Sequence, residues 1–301
     1  MAKTTTASLF VKPPQWVVES TEGTTPTASP SFTTMGVVKS IGIKVAGGFI
    51  DVAQVGSEDL IAILQGLQEY ETQYTMTLQN ITGLLDRAFD AANYGTPTGT
   101  VSETITIAFS IYLNGTENYI LCKGSRLKEA TVTMEVGKET EVTVSFVHTT
   151  ITTPFSTSDA GLTTPTWTSI PTGAVWGHTD GGANPISWNA SGQDCKKFSI
   201  TVNRNAKPDY TLGNTDPHSS QTHGRRITGD FTVLWTSTTL EADFKAGTAR
   251  TLTATLKTST GVITVTGAKI VDYSRDGDIG SDEAIVENVT FRGLSCAVAS
   301  S

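Results

Sequence analysis

Thr104-Ile105-Thr106-Ile107-Ala108-Phe109-Ser110-Ile111-Tyr112-Leu113 is the stretch that decides the fold. Ile105, Ile107, Phe109, Ile111 and Leu113 fall on every second position, the period of a strand with one face inside. Asn114-Gly115 follows at once, the dipeptide that best accepts the positive φ angles of a two-residue hairpin. A return strand through Tyr119 and Leu121 is therefore predicted. Two further strands meet at Gly137-Lys138, the second carrying Val142, Val144 and Phe146. Upstream, Leu84, Leu85, Ala88 and Phe89 lie near helical spacing, which predicts a helix over Ile81–Asn93 ended by Gly95-Thr96-Pro97. Before it, Tyr74, Met76 and Leu78 mark a strand. Ser57-Glu58-Asp59 reads as the N-terminal cap of a short helix through Leu60, Ile61 and Leu64. Ile41, Ile43 and Val45 mark another strand, which Gly47-Gly48 is expected to break.

The pattern returns in the second half. Phe198, Ile200 and Val202 alternate, as do Ile227, Phe231, Val233 and Trp235. A short helix over Thr238–Ala246 follows, then Leu252, Ala254 and Leu256, a turn at Ser259-Thr260-Gly261, a strand from Val262 to Val271, and a last strand through Val289 and Phe291. Ile43-Lys44-Val45 aligns with Ile200-Thr201-Val202 at an offset of 157, and Tyr74-Thr75-Met76 aligns with Phe231-Thr232-Val233 at the same offset. Thr104–Phe109 aligns with Thr251–Leu256 at 147, and Val144-Ser145-Phe146 with Val289-Thr290-Phe291 at 145. An internal repeat follows from this alignment.

Composition agrees with a sheet protein. Of 301 residues 52 are Thr, a β-branched type that suits a strand with one wet face. The hydrophobic fraction of 38% supports real cores, and the length fits two domains of ordinary size. We expect an N-terminal arm over residues 1–35, a first domain over 36–150, a Thr/Pro/Gly/Trp-rich linker over 151–193 and a second domain over 194–301. The linker region, from 149 onward, shows no periodicity, and Trp167, Trp176 and Trp188 are expected to pin it to a surface with their indole N–H groups bonded. The fold class expected is mainly β: two tandem antiparallel sandwiches or half-barrels, each with one or two short helices.

The charge pattern excludes some functions. Lys and Arg total 21 against 29 Asp and Glu, a net charge of −8, so no basic face for gripping nucleic acid is expected. Arg225-Arg226 is too small a cluster to change that. Three cysteines, Cys122, Cys195 and Cys296, support neither a disulfide framework nor a multi-cysteine zinc site. Met1-Ala2-Lys3-Thr4-Thr5-Thr6 has no apolar core of a secretory signal, and no apolar run reaches membrane-spanning length. A cytosolic product without membrane insertion is expected.

Trp16-Val17-Val18-Glu19-Ser20-Thr21-Glu22-Gly23-Thr24-Thr25-Pro26 and Phe198–Asn205 resemble tail tube proteins of tailed viruses of bacteria and archaea. Thr228–Val233 and the acidic stretch Asp272–Ile279 share the resemblance, which spans nearly the whole chain. It implies a β-sandwich tube domain, rings stacked by long loops, and a hollow lumen that passes the genome. For a duplicated member it implies homotrimeric rings with quasi-sixfold symmetry. The implied partners are other copies of the chain, the terminator, tape-measure and baseplate or tip proteins of the tail, and passing viral DNA. The implied location is the virion tail, after assembly in the host cytoplasm. It implies no catalytic residue and no cofactor. The loop after the first strand of each copy, about 46–58 and 203–224, would reach the adjacent ring. Its shaping residues are Gly47, Gly48 and Asp51 in the first copy and Pro208, Asp209, Gly213 and Asn214 in the second. An acidic lumen would repel phosphates, with Glu135, Glu139, Glu141, Asp276 and Asp278 as candidates.

Other chemistry is weaker. His218 and His223 beside Asp216 lack a third clear metal ligand. Asp272, Asp276, Asp278, Asp282 and Glu283 lack a calcium-loop register. Glu69 and Glu71 have the strand spacing of an exposed face, with nothing to mark a glycosidase cleft. No nucleophile elbow, zincin or phosphate-loop motif is present. The competing reading is a capsid decoration or surface adhesin of two immunoglobulin-like modules, against which the helix in each copy argues. A carbohydrate-active enzyme using the Trp residues as platforms stands third.

Overall fold

The computed structural model describes residues 10–25, 32–53, 60–79, 84–89, 104–113, 116–155, 174–222, 224–258, 261–277 and 284–299. It is a mainly β protein with large antiparallel sheets and two short helices. The strands are β1 (Phe10–Val18), β2 (Thr33–Thr34), β3 (Val37–Ala53), β4 (Leu60–Thr77), β5 (Ile105–Leu113), β6 (Thr116–Glu135), β7 (Glu141–His148) and β8 (Thr150–Phe155). They continue with β9 (Ile186–Trp188), β10 (Ser191–Gln193), β11 (Cys195–Asn203), β12 (Ala206–Asp209), β13 (Ser219–Thr222), β14 (Arg226–Leu234), β15 (Arg250–Lys257), β16 (Gly261–Asp276), β17 (Val286–Gly293) and β18 (Ser295–Ala299). The helices are α1 (Leu84–Phe89) and α2 (Thr239–Ala246).

In the first half the strands pair in the order β3-β4-β7-β6-β5-β1, with β8 beside β6. In the second half the order is β11-β14-β17-β16-β15-β9, with β18 beside β16. The irregularities recur as well. A bulge between Val38 and Ser40 on β3 has its counterpart between Cys195 and Lys197 on β11. One between Leu127 and Glu129 on β6 recurs between Ile270 and Asp272 on β16. A bulge shifts every following side chain by one position, so matched bulges keep the same face inside.

The halves join edge to edge. Residues 129–135 of β6 pair antiparallel with 197–203 of β11, which makes a continuous run β3-β4-β7-β6-β11-β14-β17-β16. One face of this run is the core. Tyr74, Val144, Val132, Ile200, Phe231 and Val289 are buried on it. A second layer of β1, β5 and β8, with β9, β15 and β18 in the other half, packs against that face. Tyr74 meets Phe109 edge-on with ring centres 6.3 Å apart, and Trp188 meets Phe231 at 6.1 Å. Each such buried aromatic contributes about 1.5–3 kcal/mol of transfer free energy.

Close backbone approach dictates one residue in this core. A Cβ on Gly229 would lie 2.4 Å from the Ser199 carbonyl oxygen and 2.5 Å from the Phe291 ring, so only glycine fits there. The helices cover the core edges. Gly247 closes α2 in the left-handed conformation, φ 61°, and its N–H bonds Phe244 O at 3.1 Å while Thr248 N–H bonds Asp243 O at 3.0 Å.

Several expectations are corrected. The segment Leu60–Leu64, predicted as a helix, is the start of β4, with Ile63 and Leu64 opposite Asp51 and Ile50 of β3. Ser57, its expected cap, lies outside the described residues. Gly47-Gly48 does not end β3; the strand bulges there and runs on to Ala53. The expected return strand and the next one are a single 20-residue strand, β6. The region from 149 to 193 is not free of regular structure: β8 pairs β6, and β9 and β10 pair each other beside β15. The loop 203–224 contains the small hairpin β12–β13. Only Leu84–Phe89 of the helix predicted over 81–93 is described, and it is helical. The turn at Asn114-Gly115 and Trp167 lie outside the described residues.

Candidate assembly surface

The surface with the most distinctive chemistry is the outer face of the long sheet. Alternation puts Thr75 on β4, Thr143 and Ser145 on β7, Thr131 and Thr133 on β6, Ser199 and Thr201 on β11, Thr228 and Thr232 on β14, Ser274 on β16 and Thr290 on β17 all on that face. The Thr131 and Thr201 hydroxyls, across the joint between the halves, are 2.8 Å apart. Eight threonines stand on this hydroxyl-covered wall.

Charges on this wall are interleaved. Glu71 pairs with Lys128 and, at 3.8 Å, with Lys44. Asn203 Nδ2 donates to Glu129 at 2.7 Å. The candidate Glu141 lies 3.3 Å from Lys39, which also pairs with Glu139. Lys39 holds the Glu139 carboxyl below its ordinary value, and Lys138, at 2.8 Å, does the same for Glu135. Each of these carboxylates has a lysine beside it. Asp276 accepts a hydrogen bond from Asn288 Nδ2. Asp278 lies outside the described residues. Glu69 and Glu71 share the exposed strand face expected of them.

The loop candidates divide. Gly47 and Gly48 sit at the bulge of β3, where a Cβ on Gly66 would come within 2.7 Å of the Gly48 carbonyl oxygen. Asp51 is opposite Ile63 in the extended β3–β4 hairpin. Pro208 and Asp209 lie in β12, opposite Ser220 and Ser219. Gly213, φ 90°, and Asn214 form an exposed turn in which Asn214 Nδ2 donates to Thr211 Oγ1 at 3.0 Å. The base of this second loop is fastened to the first half of the same chain. Tyr210 Oη donates to Gln68 O at 2.7 Å, Gln68 N–H bonds Thr215 O at 2.9 Å, and Tyr70 Oη donates to Asp216 at 2.8 Å. Burial and the Asp216 carboxylate push the Tyr70 phenol up to about 12.

Two acidic residues of the opening motif, missed as structural anchors, hold this region together. Glu19, buried, accepts from Thr106 Oγ1 at 2.6 Å and from the N–H groups of Gly23 and Gly124, both at 2.9 Å. Glu22 accepts from Ser220 N–H at 2.7 Å and from Arg126 at 3.0 Å, tying the N-terminal turn to β6 and β13. No sequence motif marks such anchors, since Thr106, Gly124, Arg126 and Ser220 are distant from them in the chain.

Trp188 behaves as expected: its indole N–H donates to Asp243 at 2.9 Å, and Arg250 grips the same carboxylate through two nitrogens at 2.8 and 3.0 Å. Trp176 is buried, but its indole nitrogen has no hydrogen-bond partner among the described residues, contrary to expectation. Among those residues no three His, Cys, Asp or Glu side chains converge to hold a metal, and no helix is long and apolar enough to cross a membrane. Asp216 bonds Tyr70, and His223 lies outside the described residues.

A wide polar sheet face and long strand edges are the main exposed features among the described residues. The sequence profile of the phage tail tube protein family matches residues 14–293, nearly the whole chain, and the chain belongs to that family. The curated proteins include no match to it. It is thereby a structural component of a viral tail tube, which associates with itself and with other tail proteins.

Proposed function

We propose that each chain supplies two tube domains, and that three chains close into a ring with quasi-sixfold symmetry. Stacked rings then form the conduit through which the viral genome leaves the particle. The observation that carries this reading is the recurrence of one strand order, with the same two bulges, on either side of an edge-to-edge joint. Two like units joined by a strand pairing form a step that can be repeated, and a repeated step of fixed rotation closes into a ring.

The hydroxyl-covered face is the proposed lumen wall. Carboxylates along it, Glu71, Glu129, Glu135, Glu141, Asp230, Asp272 and Asp276, at least match the cations Lys39, Lys44, Lys128, Lys197, Arg226 and Arg292. Such a wall gives phosphates no basic track and hence little counterion-release affinity. Asp278 would add to the acidic side. The β3–β4 hairpin, with Gly47, Gly48 and Asp51, and the turn beyond Pro208 and Asp209, with Gly213 and Asn214, are the proposed contacts between rings. Terminator, tape-measure and baseplate or tip proteins are the proposed partners at the tube ends. Assembly is assigned to the host cytoplasm, and no catalytic step is assigned to the chain.

Negative-stain microscopy of the concentrated protein tests this. Annuli or tubes with a hole wide enough for duplex DNA are expected. Persistent monomers at every concentration would contradict the reading and favour a monomeric decoration protein.

A further inference from the structure

The two halves share a strand register up to one pair of residues and part company there. On the first hairpin Ala46 lies opposite Glu69, and at the offset of 157 the second hairpin sets Asn203 opposite Arg226. Beyond this pair β3 and β4 stay joined out to Ala53 and Leu60, so the first half sends out an arm. In the second half the ladder between β11 and β14 ends at the matching pair. Arg204 turns inward there. It is buried, its N–H bonds Lys128 O at 2.8 Å, and its guanidinium donates to the Arg87 and Ala88 carbonyls at the end of α1, at 2.8 and 3.1 Å. Asn205 follows in the left-handed region, φ 50°, and the chain folds back against β6 and β7 as the hairpin β12–β13.

The tip of this second loop meets the root of the arm. β7 covers β4 only from Tyr70 to Thr77, so residues 60–69 have no strand on the side away from β3, among the described residues. Such an edge is normally covered or filled. Here the loop covers it at the root. Gln68 N–H bonds Thr215 O at 2.9 Å, Tyr210 Oη donates to Gln68 O at 2.7 Å, and Tyr70 Oη donates to Asp216 at 2.8 Å. Both main-chain groups of Gln68 are thus held by one segment of the other half. That segment is itself fixed: His218 N–H bonds Asp209 O at 2.8 Å across its neck, and the buried Ser220 donates its N–H to Glu22 at 2.7 Å.

We propose that residues 209–216 are a bracket that holds the β3–β4 arm at a fixed angle to the second half of its own chain, and that the bracket stays closed when copies assemble. One hairpin of the repeat is the arm, and its counterpart is the support for that arm. An isolated two-stranded hairpin is marginally stable in water. Fixing its root to a second body orders it in advance, which lowers the entropy cost of whatever contact Ile63, Leu64 and Leu67, all exposed, go on to make. The inference rests on the ring reading only in taking a neighbouring ring as that contact; the bracket itself belongs to the single chain. Because two of its bonds are made by phenols, the root can be loosened with ring volume unchanged, by Tyr70→Phe and Tyr210→Phe.

Hydrogen–deuterium exchange on the full-length protein reads the bracket. In the double variant Tyr70→Phe, Tyr210→Phe, exchange over residues 60–69 is expected to rise about tenfold or more, while residues 71–77, paired with β7, keep their protection. Leu212→Ala, at a fully exposed position of the same loop, is the control and is expected to change neither. Equal exchange over 60–69 in the double variant and the unsubstituted protein would overturn the bracket. A second readout asks whether it stays closed. The chain carrying Gln68→Cys and Thr215→Cys is oxidised to join the two positions within one molecule, and is expected to form rings or tubes as readily as its reduced form. Assembly of the reduced form alone would mean that the loop leaves the arm, and would overturn the proposal while leaving the tube reading intact. Failure of the unsubstituted protein to form any ring would overturn the ring reading, and the exchange result on the single chain would still decide the bracket.

Discussion

Single side chains in this protein mostly work as fasteners between segments far apart in sequence. Glu19 is the clearest case, with three donors converging on one buried carboxylate. Glu19→Gln keeps the shape but puts an NH2 group against one of the two backbone N–H donors, Gly23 or Gly124. We predict a loss of about 1–3 kcal/mol in denaturant unfolding, without loss of the native circular dichroism. His148 is buried between Thr72 Oγ1 and Ser125 Oγ, each at 2.7 Å, and burial depresses its proton affinity to about 3. The folded state therefore refuses a proton that the unfolded chain accepts near 6.5. Stability falls as pH drops below that value and goes on falling to about 3. Relative to His148→Gln, the unsubstituted protein should lose ~1.4 kcal/mol per pH unit in this window. A stability difference independent of pH would remove His148 as the cause. For Asp243 the sign is the same. Arg250 first, then the Trp188 indole, lowers its proton affinity, so its contribution is present at neutral pH and lost as acid protonates it. None of these roles was legible in the sequence, because Thr106 and Gly124 for Glu19, Thr72 and Ser125 for His148, and Trp188 for Asp243 come together only across the fold.

At the scale of elements, alternation was a reliable guide where one face of a strand is wet. β14 follows it residue by residue, β7 does so over 141–146 and β11 over 197–203. It failed where local signals competed with a partner strand. Leu60-Ile61-Ala62-Ile63-Leu64 after Ser57-Glu58-Asp59 has the look of a capped helix, yet β3 offers the segment a hydrogen-bonding edge, and pairing wins over propensity. β6 reads as two strands because Gly124, at φ 59°, and the polar stretch around it interrupt the apolar pattern. The strand bends there from one layer into the other without ending. β9 and β10 have too few apolar residues to announce themselves. Glycine inside an element is informative when a Cβ would collide. Gly229→Ala should cost about 1–3 kcal/mol through displacement of Phe291 and of the β11 backbone, measurable as a lower unfolding midpoint. An unchanged midpoint would mean that the β14–β17 packing relaxes freely.

For the whole molecule, the offsets of 157, 147 and 145 between like segments were visible in the sequence because core positions constrain residue type. The joint between β6 and β11 was not visible, since strand edges leave no compositional mark. The assembly surface was legible only as an excess of threonine, and its candidate carboxylates only as acidic positions. Lys39, which pairs with Glu139 and Glu141, comes from a strand roughly a hundred residues away in sequence. Charge at this scale is balanced locally, so the wall of the proposed conduit is set by hydroxyls and paired charges more than by the net charge of the chain.

Single-particle cryo-electron microscopy of the assembled rings tests the central claim most directly, that one chain contributes two like units to a closed ring. The account predicts six wedges that look alike at low resolution and resolve into three identical pairs at high resolution. Within each pair β6 should meet β11. A ring of six chains, or one in which the second half of the chain lies outside the wall, would contradict it.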